Sequence, residues 1–184
     1  MLNCKLKDIT EQIYDGKHGD CQNEYNSGYY FISVKDMREY GIDYKNARQI
    51  TKNDFESNYL RTRLEKGDTI YANTGDTIGK SLYIKDDDKM AKYTSFQKSI
   101  AVLKPNDKVY PRYLFYLLQY LTPQLRNAAT GSSQKNLLLS TMRDFNISIH
   151  DKKNQLKLIT ILEKIDDKIS NNIQINNNLV EFAF

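Results

Sequence analysis

The segment from Asn154 to Asn178 constrains the fold most, because its apolar residues recur at steps of four and three. The positions on this seam are Leu158, Leu162, Ile165, Ile169, Asn172, Asn176 and Leu179. Such heptad spacing predicts a long helix that docks on another helix, with asparagines that cost stability but fix register and partner number. The alternative is an amphipathic helix packed on its own domain, with the stripe sliding to Ile173 and Val180. We favour packing between helices as a coiled coil.

The chain is long enough for one domain of ordinary size plus an appendage. Its 184 residues are 40% hydrophobic and 27% charged, which is typical of globular proteins. No apolar run is long enough to span a bilayer, and Met1 to Thr10 lacks the layout of a signal peptide. We therefore expect a cytoplasmic protein with no membrane partner. Cys4 and Cys21 lie outside any C-x-x-C pair, so reduced thiols are expected rather than a disulfide or a site in which His18 and Cys21 bind metal.

The basic charge and one loop point to a polyanion partner. Residues 151–184 carry five lysines and five acidic residues, so the net charge of +4 lies entirely in residues 1–150. Within that part, the loop TGSSQKNL from Thr130 to Leu137 offers small residues, an amide and one lysine. No carboxylate occurs between Arg126 and Arg143. Such a loop suits a backbone that holds phosphate oxygens.

Short runs rich in β-branched and aromatic residues predict strands. These runs are 29–34, 69–73, 81–85, 99–103 and 145–149. Helices are predicted at 51–59, which Thr51 can cap, and at 111–120, which Pro111 can open. Pro123 is expected to restart a separate helix that ends near Gly131. Because the order of elements is irregular, we expect an α+β fold with a small irregular sheet rather than a repeating βαβ sheet.

The run TGDTIGKS at 74–81 resembles a phosphate-binding P-loop, but only three residues separate Gly75 from Gly79. A strand-like run follows it, where a P-loop needs the start of a helix. We therefore predict a hairpin turn, in which both glycines supply positive φ between the strands TIYAN and SLYIK.

Catalytic signatures are sparse. A metal-dependent nuclease would need acidic residues near a lysine, and Asp76, Asp87 and Lys89 are the residues that could serve. The run Asp86 to Asp88 is more typical of a solvated loop. The sequence contains no nucleophile elbow and no methyl-donor glycine loop after a strand, so we expect no catalytic residues and no cofactor.

Six segments, in order, resemble the specificity subunit of type I restriction-modification enzymes. They are KLKDI at 5–9, DGKHGD at 15–20, YYFISVKDM at 29–37, LEKGDTIYANTGDTIGK at 64–80, FQKSIAVLKP at 96–105, and TGSSQKNL followed by a strand and the helix QLKLITILEKIDDKISNNIQINNNL. The usual subunit carries two recognition domains and two helices, whereas this chain has one of each. The resemblance implies a half-length form, with a target recognition domain over 1–150 and a spacer and dimerisation helix over 151–184.

The resemblance also implies a function. The recognition domain would read one half of a bipartite site in double-stranded DNA, and the helix would set the distance to the second half while gathering methyltransferase (M) and restriction (R) subunits. In this family, methyl transfer and ATP-driven cleavage belong to those other polypeptides, so the chain itself would be non-catalytic. A single unit could form a two-fold homodimer, helix against antiparallel helix, or be a piece of a longer subunit.

DNA recognition would use two kinds of contact. Candidate phosphate contacts, which position the duplex without reading it, are Ser132, Ser133, Gln134, Lys135 and Lys80. Candidate contacts to base edges are polar, long or aromatic residues beside loops: Lys17, His18, Tyr29, Tyr30, Arg61, Lys92, Tyr93 and Gln97. Two rival hypotheses remain, the small nuclease described above and an assembly scaffold whose domain does not read DNA.

Overall fold

A four-stranded antiparallel sheet forms the centre of the fold. The computed structural model describes residues 1–38, 41–131 and 134–182, without the side chains of 60–62, 177 and 179–182. The strands are β1 (Leu2–Lys5), β2 (Thr10–Asp15), β3 (Tyr30–Ile32), β4 (Met37–Arg38), β5 (Gly41–Ile42), β6 (Thr69–Ala72), β7 (Ser81–Tyr83), β8 (Thr94–Phe96), β9 (Ile100–Pro105) and β10 (Asn146–Ile149). The helices are α1 (Lys52–Thr62), α2 (Pro111–Ala128), α3 (Leu139–Asp144) and α4 (Lys152–Phe182). The mixture of small sheets, short helices and a long C-terminal helix confirms the α+β prediction.

The central sheet has the strand order β2-β9-β6-β7, and each neighbouring pair is antiparallel. Both faces of β9 are covered, so its residues 100–103 are apolar without alternation. Ala101 and Leu103 pack in a core with α2, α3 and the start of α4. Ile100 and Val102 point to the opposite face and pack in a second core with β3, β4 and β8. The sheet therefore separates the layer that carries α4 from the layer that carries the short strands.

Smaller strand pairs complete the domain. β3 and β8 pair in parallel, β4 and β5 form a short hairpin, and β1 pairs antiparallel with β10. Each of the five predicted strand runs overlaps a strand, namely β3, β6, β7, β9 and β10. The sequence pattern does not predict β1, β2, β4, β5 or β8. Polar residues interrupt β1 and β2, β4 and β5 have two residues each, and Phe96 is the one apolar residue of β8.

Helix α2 packs along the sheet through one apolar stripe. Pro111 occupies its first turn, and its buried leucines are Leu114, Leu117, Leu118, Leu121 and Leu125. The predicted break at Pro123 is wrong, because the helix continues through it to Ala128. Pro123 cannot donate to the Gln119 carbonyl, but both residues lie on the exposed side of the helix, where water can replace that bond. Burial of the leucine stripe outweighs the local cost of the proline.

The predicted hairpin between β6 and β7 is confirmed, with φ of 66° at Gly75 and 98° at Gly79. Gly79 is also a point of close approach, since a Cβ there would collide with the side chain of Thr122 on α2. The Thr122 hydroxyl lies 3.2 Å from the Tyr71 hydroxyl on β6. Glycine at position 79 thus permits the turn and also lets the hairpin lie against α2.

The ends of the remaining helices are fixed by side chains. Thr51 caps α1 as predicted, by accepting a hydrogen bond from the Asp54 N–H at 3.2 Å. The start of α4 is part of the domain core, because Ile159 is buried there and Gln155 is buried against the chain preceding α2. Among the described residues, no helix has the length and apolarity required to cross a bilayer.

Candidate nucleic-acid interface

The turn of the β6–β7 hairpin, which resembles a P-loop, lies beside the loop at 130–137, which is the candidate for phosphate contact. The Gly75 N–H of the β6–β7 hairpin donates to the Lys135 carbonyl at 2.7 Å, and Thr74 forms a bridge with Asn136. Asn136 also exchanges backbone hydrogen bonds of 2.7 and 3.1 Å with Thr130. The loop proposed to hold phosphate is therefore closed on itself and docked on the hairpin that resembles a P-loop.

Asn73 joins these two loops to the turn before β9. Its carbonyl accepts from the Leu137 N–H at 2.8 Å, and its own N–H donates to the Ser99 carbonyl at 3.1 Å. Its buried side-chain amide, in the orientation that suits its neighbours, donates to the carbonyls of Ser99 at 2.7 Å and Lys98 at 3.3 Å. Buried amides require such partners, so Asn73 fixes the spacing between the turn and the loop.

The segment after β2 runs along the same turn. The Lys17 N–H donates to the Phe96 carbonyl at 2.8 Å, and the Lys98 N–H donates to the Lys17 carbonyl at 3.1 Å. Lys17 also bridges Gln97, so two candidate DNA contacts are neighbours. Gly16 makes this approach possible, because a Cβ there would collide with the carbonyl oxygens of Phe96 and Gln97.

These four backbone segments form one continuous strip, which we name the basic edge: 16–18, 73–75, 97–99 and 134–137. It presents Lys98 and Lys135, both exposed and without an ion pair in the part of the chain that the structure describes. Sequence reasoning missed Lys98 and Asn73, because the hydrogen bonds that place them join residues far apart in the chain. The strip combines unpaired cations with exposed backbone loops, which is the chemistry that phosphate contact requires.

Lys17 is less available than Lys98. Its ammonium lies 3.1 Å from the Asp54 carboxylate, and its side chain is 20% exposed. Burial acts to lower the pKa of Lys17, but the hydrogen bond to Asp54 and the proximity of Cys21 outweigh it, so the pKa is raised. Asp54 also accepts from the Gln22 N–H at 2.5 Å, and the backbone bond and the lysine lower its pKa. Lys17 therefore anchors the loop to α1 more than it offers free charge.

His18 is the last residue of the first segment of the basic edge. Its side chain is 58% exposed, and its Nε2 lies 2.8 Å from the Asp15 carboxylate. A carboxylate partner of this kind orients an imidazole and selects which ring nitrogen faces outward. Among the candidate base-edge contacts on the basic edge, His18 is the most exposed.

The aromatic candidates lie on two sides of the β3–β8 pair. Tyr29 packs on Phe55 with ring centroids 4.8 Å apart and meets the edge of Tyr93 at 6.2 Å. The Lys92 ammonium lies 4.9 Å from the Tyr93 ring centroid. Tyr30, the next residue along the strand, packs instead on Tyr44 at 5.0 Å. The half-buried tyrosines support the domain, while Tyr93 and Lys92 are exposed at the surface.

The remaining candidates are placed as follows. Lys80 is exposed on the hairpin, and its ammonium donates to the Val34 carbonyl at 3.2 Å. Gln134 is exposed on the basic edge, close to Gly75. Ser132, Ser133 and the side chain of Arg61 lie outside the described residues.

The nuclease hypothesis receives no geometric support. Asp76 lies in the turn before β7, whereas Asp87 follows β7, so the extended strand holds them at opposite ends. In the described ranges 1–38, 41–131 and 134–182, no group of three or more His, Cys, Asp or Glu residues is arranged to hold a metal ion. Cys4 and Cys21 are free thiols.

Helix α4 presents the predicted seam partly to solvent. Leu158 and Leu162 are half-buried, while Ile165 and Ile169 are 50% and 44% exposed. Asn172 and Asn176 are exposed, and the side chain of Leu179 lies outside the described part. Ile161, which flanks the seam, is also exposed. The domain therefore partly covers the first residues of the seam, Leu158 and Leu162, and leaves Ile165 and Ile169 exposed to solvent.

The chain thus combines an α+β domain that carries a basic edge with a long helix that exposes an apolar stripe. Comparison with known proteins assigns this chain to a family. The family described as "Type I restriction modification DNA specificity domain" matches residues 3–181. The chain belongs to this family.

Individual relatives agree with the family match. The type I restriction enzyme HindI specificity subunit of Haemophilus influenzae is 30% identical over 126 residues, which cover 65% of this chain and 27% of that subunit. The HsdS subunit from Thermoanaerobacter tengcongensis matches with a TM-score of 0.66 at 14% identity, over 92% of this chain and 38% of its own. The S subunit from M. genitalium matches with a TM-score of 0.62 at 13% identity, over 92% of this chain and 40% of that subunit. The chain thus has the fold of these subunits and spans well under half of their length.

Proposed function

We propose that this chain recognises DNA as a specificity subunit of a type I restriction-modification complex. Its domain reads one half of a bipartite site, and its helix positions the M and R subunits. The observation that carries the proposal is the basic edge, where exposed Lys98 and Lys135 lie on a backbone strip held by hydrogen bonds. Membership of the family supports the same function.

The basic edge suits contact with the phosphate backbone. Lys135 and Gln134 project from a loop whose ends are closed, so little entropy is lost when the loop meets a phosphate. Lys98 lies on the adjoining turn and extends the row of cations. Lys80, Ser132 and Ser133 remain proposed contacts of the same kind. These groups would fix the register of the duplex without distinguishing one base pair from another.

Base reading is proposed for residues on this strip and beside it. His18 and Gln97 are the best placed, because both lie on the basic edge and carry hydrogen-bonding groups that suit base edges in the major groove. Lys92 and Tyr93 form a second exposed pair immediately before β8. Lys17, Tyr29, Tyr30 and Arg61 complete the proposed set.

Helix α4 is proposed to join two copies of the chain. Its exposed stripe of Ile161, Ile165 and Ile169 would be buried by the same stripe of a second copy. Antiparallel packing would place two recognition domains at opposite ends of the helix pair, so that the assembly reads a split palindrome. Asn172 and Asn176 would fix the register of this pairing.

The test is selection from a random duplex library by the chain assembled with the family's M subunits. The expected result is enrichment of two inverted half-sites separated by a fixed spacer. An assembly scaffold would form the same complex and enrich no motif. The purified chain is expected to show no cleavage or methylation of DNA in Mg²⁺, ATP and S-adenosylmethionine, and turnover under those conditions would favour the nuclease.

A further inference from the structure

In the part of the chain that the structure describes, polar side chains attach helix α4 to the domain at two places, in addition to the buried Ile159. The first is its base, where the Gln155 amide donates to the carbonyls of Lys108 at 3.1 Å and His150 at 2.8 Å, and accepts from the Tyr110 N–H at 3.1 Å. The second lies three turns further along, where one oxygen of Asp166 accepts two hydrogen bonds from α2. Two fixed points define the direction of a rigid helix, whereas one point alone leaves it free to tilt.

The second fixed point centres on Arg112. Its Nη2 lies 3.1 Å from Asp166 Oδ2, and its Nε lies 3.5 Å from Glu163 Oε1. Its guanidinium carbon lies 4.7, 5.2 and 5.1 Å from the ring centroids of Tyr83, Phe115 and Tyr116. The side chain is only 18% exposed. A planar cation between aromatic rings has little freedom to change rotamer, so the acids of α4 meet a rigid partner.

Tyr116 contributes a second bond to the same carboxylate. Its hydroxyl donates to Asp166 Oδ2 at 2.7 Å. Burial, followed by this hydrogen bond, raises the pKa of Tyr116 far above the neutral range, so the hydroxyl stays protonated and remains a donor. We name the group of Arg112, Tyr116, Glu163 and Asp166 the Arg112 clasp.

A cavity of about 240 Å³ adjoins the clasp. It is lined by Arg112 and Asp166 and also by Leu82, Tyr83, Gln119, Ile169 and Ser170. Among the described residues, the hydrogen bonds to Asp166 are the last polar contacts along α4 that join it to the rest of the domain. From Gln155 to the end of α4 at Phe182 the helix extends about 40 Å, so after loss of the clasp a tilt of about 10° about the Gln155 attachment would move its end by roughly 7 Å.

We propose that the Arg112 clasp sets the angle at which α4 leaves the domain and thereby selects the spacer length between two half-sites. A displacement of roughly 7 Å is about twice the rise of about 3.4 Å per base pair, so loss of the clasp would spread the spacing over more than one base pair. The link between the clasp and the spacer length rests on the proposed function. The role of the clasp in setting the angle of α4 is independent of that function.

The angle is tested without DNA. Spin labels on unnatural amino acids at the exposed positions Lys45 and Gln174 report the distance from domain to helix, with excess unlabelled chain added so that each distance lies within one chain. We expect a narrow distribution for the unmodified chain and one broadened by several ångströms in Arg112→Ala and in Asp166→Ala. Asp166→Ala removes only a carboxylate from the surface of α4, so it tests the clasp without threatening the core. Arg38→Ala, which breaks the ion pair of the exposed Arg38 with Asp43, is the matched control.

The spacing is tested on duplexes that carry the selected half-sites at varied separation. Arg112→Ala and Asp166→Ala should lose most of the preference for the selected spacer over lengths one base pair shorter or longer, with unchanged affinity for a single half-site. Arg112→Lys should be intermediate, because it keeps the charge but loses the planar stack. Unchanged distances in both variants would overturn the proposal. Broadened distances with an unchanged spacer preference would overturn the link to spacing, and absence of bipartite binding by the unmodified chain would count against the proposed function alone.

Discussion

The Gly75 amide donates to the Lys135 carbonyl at 2.7 Å and so joins two loops that lie sixty residues apart in the sequence. One loop resembles a nucleotide-binding motif, and the other is rich in small polar residues. Each loop supports the backbone of the other, so the proposed phosphate contacts depend on both. The basic edge is thus a property of the tertiary structure.

The first prediction concerns Gly79 in the same hairpin. Gly79→Ala should destabilise the fold by about 2–4 kcal/mol, because the new Cβ adopts an unfavourable φ and collides with Thr122. Gly19→Ala is the matched control, since Gly19 has a similar φ of 104° but nothing within 4 Å, and it should cost only about 1–2 kcal/mol. Chemical denaturation measures both values.

The clash can be separated from the backbone cost by a second substitution. Thr122→Ser removes the methyl group nearest to position 79 and keeps the hydroxyl that contacts Tyr71. Gly79→Ala should therefore be less costly in the Thr122→Ser background. Equal costs in the two backgrounds would show that α2 does not restrict the hairpin.

The sequence predicts the local elements well where their cause is local. The start of α2 at Pro111, the Thr51 cap and the glycine turn at the β6–β7 hairpin all follow from neighbouring residues. The continuation of α2 through Pro123 does not, because it depends on burial of Leu125 against the domain. Propensity at one residue is outweighed there by tertiary packing.

The candidate interface is harder to predict for the same reason. The composition of the loop at 130–137 indicates Gln134 and Lys135, but Lys98 becomes a candidate only because Asn73 and Lys17 hold its turn beside that loop. Those hydrogen bonds connect segments that no sequence periodicity relates. The Arg112 clasp is likewise formed by two helices distant in the chain.

A second prediction concerns how the free energy of unfolding changes at acidic pH. The pKa of Asp54 is lowered by the Gln22 N–H and by Lys17, so its charged form stabilises the fold above the ordinary pKa of 3.8, and this contribution is lost as the pH falls through the lowered value. Asp54→Asn should cost about 1.5–3 kcal/mol at neutral pH, the usual value of a hydrogen bond to a charged group. The difference from the unmodified chain should shrink below about pH 4.

Denaturation midpoints between pH 3 and 7 provide the measurement. Asp87→Asn removes an exposed carboxylate with no ion pair in the described part of the chain and serves as the control. A constant difference between Asp54→Asn and the unmodified chain across the whole pH range would contradict the role assigned to the charge.

A third prediction concerns assembly. Ile165→Asp places a charge in the proposed seam, where burial without a partner is costly, so the variant should sediment as a folded monomer. Leu156→Asp is the matched control, because Leu156 is similarly exposed but lies nine residues away, on the opposite face of α4. If Ile165→Asp keeps its oligomeric state and a native circular dichroism spectrum, the interface lies elsewhere.

A fourth prediction concerns base reading by His18. His18→Ala should reduce discrimination by about 1–3 kcal/mol at one position of the half-site, because one base edge loses its partner. The dependence of binding on salt should stay nearly the same, since the residue is not assigned to a phosphate. Binding to a panel of duplexes with single base changes gives the result. A uniform loss across all positions would assign His18 to the loop structure instead.

The last prediction separates phosphate contact from base reading. If Lys135 and Lys98 each neutralise one phosphate, Lys135→Ala and Lys98→Ala should weaken binding equally for cognate and unrelated duplexes and lower the salt slope by roughly one unit per chain. Base preference should stay the same. Lys66→Ala is the matched control, because Lys66 is exposed but precedes β6, at the end of the strand opposite to the basic edge. Binding is measured in the complex with M subunits, because a single recognition domain offers few of the contacts that hold DNA. If Lys135→Ala changes neither affinity nor salt slope there, the loop at 130–137 serves only to support the hairpin on which it is docked.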